Sequence, residues 1–240
     1  MLLGQKIVVV MPAYNAARTL RQTYDEVMAH GIVDRVILVD DASKDETAVM
    51  ARTLPHVQVE VHSRNRGYGA NQKTCYRLAL AAHADIIIMI HPDYQYTPAL
   101  IPAMASLVAS KLYPCVLGSR ILGGGALRGG MPLWKYTSNR FLTFVENLLL
   151  GAKLSEYHTG YRAFAGTLLE ELPLDTFSDD FLFDNQLLVE VIRRGYPVGE
   201  ITCPTKYFRE ASSIGFLSSV RYGIGCLFTA FRSRARVSRS

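Results

Sequence analysis

The chain has four cysteines, Cys75, Cys115, Cys203 and Cys226, and no two of them are close enough to form a Cys-x-x-Cys pair. Their scatter argues against a zinc site and a disulfide framework, and it fits a reducing cytoplasm. No stretch resembles a cleavable leader, because "MLLGQKIVVVMPAY" has no basic region and runs directly into apolar sequence. No apolar run is long enough to span a bilayer either: "IGFLSSVRYGIGCLFTAF", 214–231, contains Arg221 and three glycines. A Gly-x-Gly-x-x-Gly fingerprint is missing, which weakens a dinucleotide assignment. Acids are absent from the last nine residues, "RSRARVSRS", which hold four arginines and account for most of the net charge of +5. No base-stacking aromatics interleave with these arginines, so a nucleic-acid partner is not expected.

What is present reads as one α/β domain. Half of the 240 residues are apolar, enough for a sizeable core. Continuous β-branched runs occur at 6–12, 35–41, 85–91 and 114–120, separated by helix-length segments. That order predicts a doubly wound, mostly parallel sheet with helices on both faces. "HVQVEVH", 56–62, alternates with period two and is expected at a sheet edge. Helices are predicted over 16–30, 45–54, 70–83 and 98–111, with Ser43 and Glu46 as a capping box and Pro98 in a first turn. The residues up to 120 form one half. After them come a glycine-rich loop at 121–131, expected to be mobile, a helix at 133–150, "YHTGYRAF", a helix at 183–194 and the strand-like "YPVGEITCP". This second half runs to 213, and 214–240 form an apolar and basic terminal segment.

In open α/β sheets ligands collect beyond the carboxyl ends of the strands. "PAYN", "DDAS", "HPDYQ" and "GSR" all fall there. Asp40 and Asp41 leave a strand end pointing in opposed directions, so at least one can meet a ribose hydroxyl or base N–H; a helix-capping turn is the alternative. His91, Asp93 and Gln95 share one side of an extended segment. They offer an imidazole, a carboxylate and an amide oxygen to one point, which suits Mg²⁺ or Mn²⁺, or else they form a polar turn before Pro98. Lys73 and Asn71 sit at a helix start, where N–H groups favour anions. Trp134, Phe141 and Phe144 share a helix face expected to pack in the core.

The series "MPAYN", "VDDASKDET", "NRGYGANQKT", the acidic motif at 91–95, "GSR" and "HTGYRAF" resembles the family 2 glycosyltransferases of GT-A fold, and within them the dolichol-phosphate mannosyltransferases and bacterial polyprenyl-phosphate enzymes. The resemblance spans about residues 6–215. It implies transfer of a sugar with inversion from a UDP- or GDP-linked donor to a polyprenyl phosphate. Pro12, Ala13, Tyr14 and Asn15 would line the nucleotide, with Asp40, Asp41, Lys73, His91 and Pro92. Asp93 would be the last acid of the family's metal motif, and Gln95 and His91 its neighbours at a Mg²⁺ or Mn²⁺ ion. Arg120 would approach the diphosphate or acceptor phosphate, and Arg128, His158, Arg162, Lys206 and Arg209 would serve the acceptor. Asp180 or Asp184 would act as base for a hydroxyl acceptor. Two departures stand out: His91 replaces the first acid, and Ala16 replaces the usual glutamate of "PxYNE". Cysteine usage points to the cytoplasm, and the apolar, aromatic and basic terminal segment suits either a helix lying on an anionic membrane surface or one packed on the protein. A nucleotide-sugar binding module without turnover is a further alternative.

Overall fold

The structure, a computed structural model, describes residues 1–204 and 216–237. Seven strands form one sheet: β1 (Ile7–Ala13), β2 (Arg35–Asp40), β3 (Val57–Val61), β4 (Ile86–Met89), β5 (Cys115–Ser119), β6 (Arg162–Ala165) and β7 (Val198–Thr202). Their order is β3-β2-β1-β4-β6-β5-β7. All neighbouring pairs are parallel except those of β6, which runs antiparallel to both β4 and β5. The sheet is therefore mixed, and the two halves of the chain share it. The period-two strand β3 lies at one edge, as its alternation requires. Sequence reading missed β6 as a strand, because "RAFA" is short and opens with an arginine.

Among the described residues there are eight α-helices: α1 (Ala17–Ala29), α2 (Thr47–Arg52), α3 (Tyr68–Ala81), α4 (Ile101–Ala109), α5 (Leu133–Leu150), α6 (Gly166–Glu171), α7 (Leu182–Arg193) and α8 (Phe216–Val237). β1 shows why both faces are dry. Ile7, Val9 and Met11 pack with α1 and α4 residues such as Leu20, Val27 and Met104, whereas Val8 and Val10 pack with Tyr76, Phe183 and Leu187 of α3 and α7. Each such side chain withdrawn from water contributes about 1.5–3 kcal/mol, which is why the strands read as unbroken apolar runs.

The expected capping box at Ser43 is absent. Thr47 opens α2, and its N–H bonds to Asp45 Oδ1 at 3.0 Å. The start of α1 is capped from the same loop, with the Ala16 N–H on Thr47 Oγ1 (2.8 Å) and the Ala17 N–H on Asp45 Oδ2 (3.0 Å). These bonds satisfy helix-end donors that α1's own sequence leaves open. Loop 121–131 folds as successive turns that bury Ala126 and Met131.

α8 packs against α5 and α7 through Cys226 and Ala230. The stripe of Phe141, Phe144 and Leu148 on α5 does not enter the core, since Phe141 and Phe144 are 61% and 67% exposed. On α8, Ile224, Phe228 and Phe231 are exposed likewise. No helix among the described residues is long and apolar enough to cross a membrane.

Candidate active site

A cleft of about 630 Å³ opens at the carboxyl ends of β1, β2, β4 and β5 and is closed on one side by α5 and α8. Three of its loops each hold a non-glycine residue in the left-handed region: Asn15 after β1, Ala42 after β2 and Tyr94 after β4, with φ of 52°, 58° and 59°. Such residues are uncommon and gather at ligand clamps. The first two loops are tied together by the Asn15 N–H on Ser43 Oγ and the Lys44 N–H on Asn15 Oδ1, both 2.8 Å.

Pro12, Ala13, Tyr14 and Asn15 line the cleft. Of the two adjacent acids, Asp41 lines it and Asp40 does not. Asp40 is buried and accepts from the Ser43 N–H and hydroxyl, so its carboxylate builds the turn. Asp41 Oδ1 accepts from His62 Nδ1 and the Arg66 N–H, and Oδ2 accepts from the Gly67 N–H at 2.9 Å. An ionised oxygen has two lone pairs, so Oδ2 retains one for a ligand.

His91, Pro92, Asp93 and Gln95 all face the cleft. Asp93 Oδ1 accepts from the Gln95 N–H at 3.1 Å, which closes the turn. The described residues contain no group of three His, Cys, Asp or Glu able to hold a metal. One carboxylate, one amide and one imidazole on the same turn are too few for an all-protein cage. They fit a cation that keeps waters and binds diphosphate oxygens.

Lys73 does not line the cleft, and its donors and those at the start of α3 are taken by protein groups. The Gly69 and Ala70 N–H groups bond to the Asp179 carbonyl, and Lys73 Nζ bonds to Asp179 Oδ1 at 2.8 Å and to the Phe177 carbonyl. The helix end and the lysine therefore pin the loop before α7. A Cβ at Gly69 would lie 2.3 Å from the Ser178 oxygen, so only glycine permits that approach. Asn71 lines the cleft, but its amide donates to the Ala13 and Val39 carbonyls.

On the opposite wall, Arg120 follows β5 and is clamped by Glu156. The Arg120 Nε and backbone N–H each reach a Glu156 oxygen at 2.8 Å, and Nη2 bonds to the same carboxylate and to the His158 carbonyl. Asn139 Nδ2 adds a bond to Glu156 Oε1 at 2.7 Å. Burial alone would raise the Glu156 carboxyl, but the Arg120 guanidinium outweighs it and holds the acid below its ordinary value. Lys135, which the sequence reading passed over, shares this wall. Burial and the nearby Arg120 charge both lower its pKa. Two cations in one cleft wall favour an anion between them.

Arg162 does not line the cleft. It is wholly buried and donates to the carbonyls of Tyr157, Thr159 and Asp184, bracing β6 against α7. Arg128 lies exposed on the glycine-rich loop and does not line the cleft. Lys206 and Arg209 lie outside the described residues. Asp184 lines the cleft and accepts from the Tyr68 hydroxyl (2.7 Å) and Gln72 Nε2 (3.0 Å); Asp180, at the rim, is exposed. Burial and the Asp184 charge raise the Tyr68 phenol well above its ordinary value, so it remains a donor.

His158 lines the cleft and bonds through Nδ1 to the Tyr222 hydroxyl at 3.0 Å. Behind it lies Glu146, whose Oε2 is 3.4 Å from His158 Nε2; both atoms are buried without a hydrogen bond of good geometry. Burial pushes Glu146 up to about 7 and His158 down to about 4. A neutral pair, with the proton on Glu146, gives each atom a partner. The raised Glu146 value contributes stability that is complete below its unfolded pKa and lost as pH rises through about 7. The lowered His158 value acts in the other direction, its contribution being lost as pH falls through about 4. Glu146→Gln is therefore expected to gain about 2 kcal/mol on wild type between about pH 5.5 and about pH 8. Urea midpoints at the two pH values measure this, and equal differences at both would refute it.

The mixed sheet, the cleft over its strand ends, and the acid turn facing a cationic wall define a transferase of GT-A fold. The chain belongs to glycosyl transferase family 2, whose model matches residues 8–172. It is 26% identical over 217 residues to the UDP-N-acetylglucosamine–dolichyl-phosphate N-acetylglucosaminyltransferase of Methanococcus voltae, covering 84% of this chain and 86% of that one. It is 25% identical over 246 residues to the undecaprenyl-phosphate mannosyltransferase of Micrococcus luteus, covering 95% and 98%. Among solved structures it resembles the glucosyl-3-phosphoglycerate synthase of Mycobacterium tuberculosis in complex with Mn²⁺, UDP and phosphoglyceric acid. The TM-score is 0.72 and the identity 18%, covering 96% of this chain and 79% of that one. The chain is thus a family 2 glycosyltransferase.

Proposed function

We propose that this enzyme transfers a sugar, with inversion, from a nucleoside diphosphate donor to a polyprenyl phosphate. The observation that carries the reading is the cleft's second wall: Arg120 and Lys135, the latter in the first turn of α5, line the cleft, and α5 and α8 carry exposed apolar and aromatic side chains. A phosphate on an isoprenoid tail matches both features. Two of the relatives bear names that specify dolichyl-phosphate and undecaprenyl-phosphate substrates.

In this reading Pro12 to Asn15 and Asp41 hold the nucleotide, and Asp93, with Gln95 and His91, faces the diphosphate and its cation. A divalent cation bound there would neutralise the charge that builds on the departing diphosphate. Arg120 and Lys135 orient the acceptor phosphate, whose oxygen attacks the anomeric carbon as the bond to the donor diphosphate breaks. The acceptor oxygen is already anionic, so no general base is needed and positioning is the main contribution. The rival acceptor, a sugar hydroxyl, would call on Asp184, whose carboxylate already accepts from Tyr68 and Gln72.

The deciding experiment incubates the protein with a panel of UDP- and GDP-sugars, Mn²⁺ or Mg²⁺, and undecaprenyl or dolichyl phosphate. Formation of a mild-acid-labile glycolipid is expected. Transfer only to saccharides, abolished by Asp184→Asn, would establish the rival.

The same reading places the exposed stripe and three arginines of α8, Arg221, Arg232 and Arg234, on an anionic membrane surface. Flotation with anionic vesicles is expected for the wild type and lost in a Phe144→Asp, Phe228→Asp double variant. Equal flotation of both would exclude this surface.

A further inference from the structure

We propose that Tyr68 is a positioning residue that holds His91 in the Nε2–H tautomer and so presents an unprotonated Nδ1 to the cleft. The argument is a count of protons. The Tyr68 hydroxyl lies 2.7 Å from Asp184 Oδ2 and 3.1 Å from His91 Nε2. A carboxylate only accepts, so the single phenol proton is given to Asp184, whose other oxygen is held by Gln72. Toward His91 the phenol then offers only a lone pair, and Nε2 must carry the proton. A neutral imidazole has one N–H, so Nδ1 is left with its lone pair free.

The surroundings keep the ring in place. Tyr68 is stacked between Phe181 and His91, with centroids 4.9 and 5.5 Å apart. Gly160 lies beside the Tyr68–His91 contact, where a Cβ would stand 2.6 Å from His91 Nε2 and 3.3 Å from the Tyr68 oxygen. His91 Nδ1 has no hydrogen-bond partner among the described residues, and it is not one of the buried polar atoms left unpaired, so it opens on the cleft that His91 lines.

Fixing a ligand's second nitrogen orients the first and makes it a better donor. Here the fixing group is a phenol interposed between carboxylate and imidazole, and it connects α7 to the turn after β4. This inference rests on the reading that Asp93 and His91 border a cation, and the experiment separates the two.

Long-range ¹H–¹⁵N spectra of the ¹⁵N-labelled protein at about pH 8 report the tautomer without any ion. His91 signals are assigned by their loss in His91→Gln. The Nε2–H pattern is expected in the wild type and a tautomer mixture in Tyr68→Phe, which keeps the stacked ring. An Nδ1–H pattern in the wild type, or an unchanged pattern in Tyr68→Phe, overturns the proposal. Free Mn²⁺ is then titrated by electron paramagnetic resonance with UDP or GDP present. Tyr68→Phe is expected to weaken Mn²⁺ binding about ten-fold or more, as is Asp93→Asn. Weakening by Asp93→Asn alone would remove the role of Tyr68 and leave the cation reading intact. No weakening by Asp93→Asn would remove the cation reading itself.

Discussion

Asp93→Ala is expected to lower turnover by about 10²–10³-fold or more while leaving the fold unchanged. The size follows from what the residue does in the proposed reaction. Asp93 is the one carboxylate on the turn after β4 that faces the cleft, and charge on the leaving diphosphate is greatest in the transition state. An interaction stronger there than in the ground state appears in kcat more than in KM. The fold should persist because the bond that Asp93 Oδ1 accepts from the Gln95 N–H is local to the turn and joins no two elements of the sheet or helices. The checks are steady-state kinetics with added Mn²⁺ and a thermal melt. Wild-type kcat in the variant, or full activity of the wild type in excess chelator, would refute the role.

The second large effect falls on stability. Arg162→Leu is expected to destabilise the protein by roughly 3–5 kcal/mol, because it strands buried carbonyls that the guanidinium now satisfies. Those carbonyls belong to Tyr157, Thr159 and Asp184, so the change also loosens the segment that forms the cleft floor. Urea denaturation measures the loss. A fully stable variant with poor acceptor binding would restore Arg162 to the acceptor site that its motif suggests.

These two residues show which parts of the site could be read from the sequence. Asp93 sits on the turn just after β4, and a position beyond a strand end follows from the apolar run "DIIIMI" alone, so its exposure to the cleft was legible. Arg162 lies in a motif beside the cleft, and nothing in "HTGYRAF" says that the arginine turns inward to cap carbonyls. Asp40 and Asp41 differ for a related reason: alternation tells that they diverge, but only the three-residue turn to Ser43 decides which one is consumed. Lys73 shows the limit of a helix start as a signal: such an end offers donors to any acceptor, and here the loop before α7 takes them. Glu156, Lys135 and Tyr68 were invisible as site residues. Each is brought to the cleft by long-range packing and carries no local pattern. The exposed stripe on α5 had the same periodicity as a core face, and periodicity does not say whether protein covers it.

The reversed strand β6 has a consequence for how the molecule is made. Ile86 pairs with Ala165 across the β4–β6 seam, so during synthesis β4 waits with an unpaired, apolar edge until a much later part of the chain has emerged. Pairings this distant in sequence form slowly, and an open edge of isoleucines is an adhesive surface for other nascent chains. Recovery of soluble protein should therefore depend on expression temperature and chaperone supply more steeply than the stability of the finished fold would suggest.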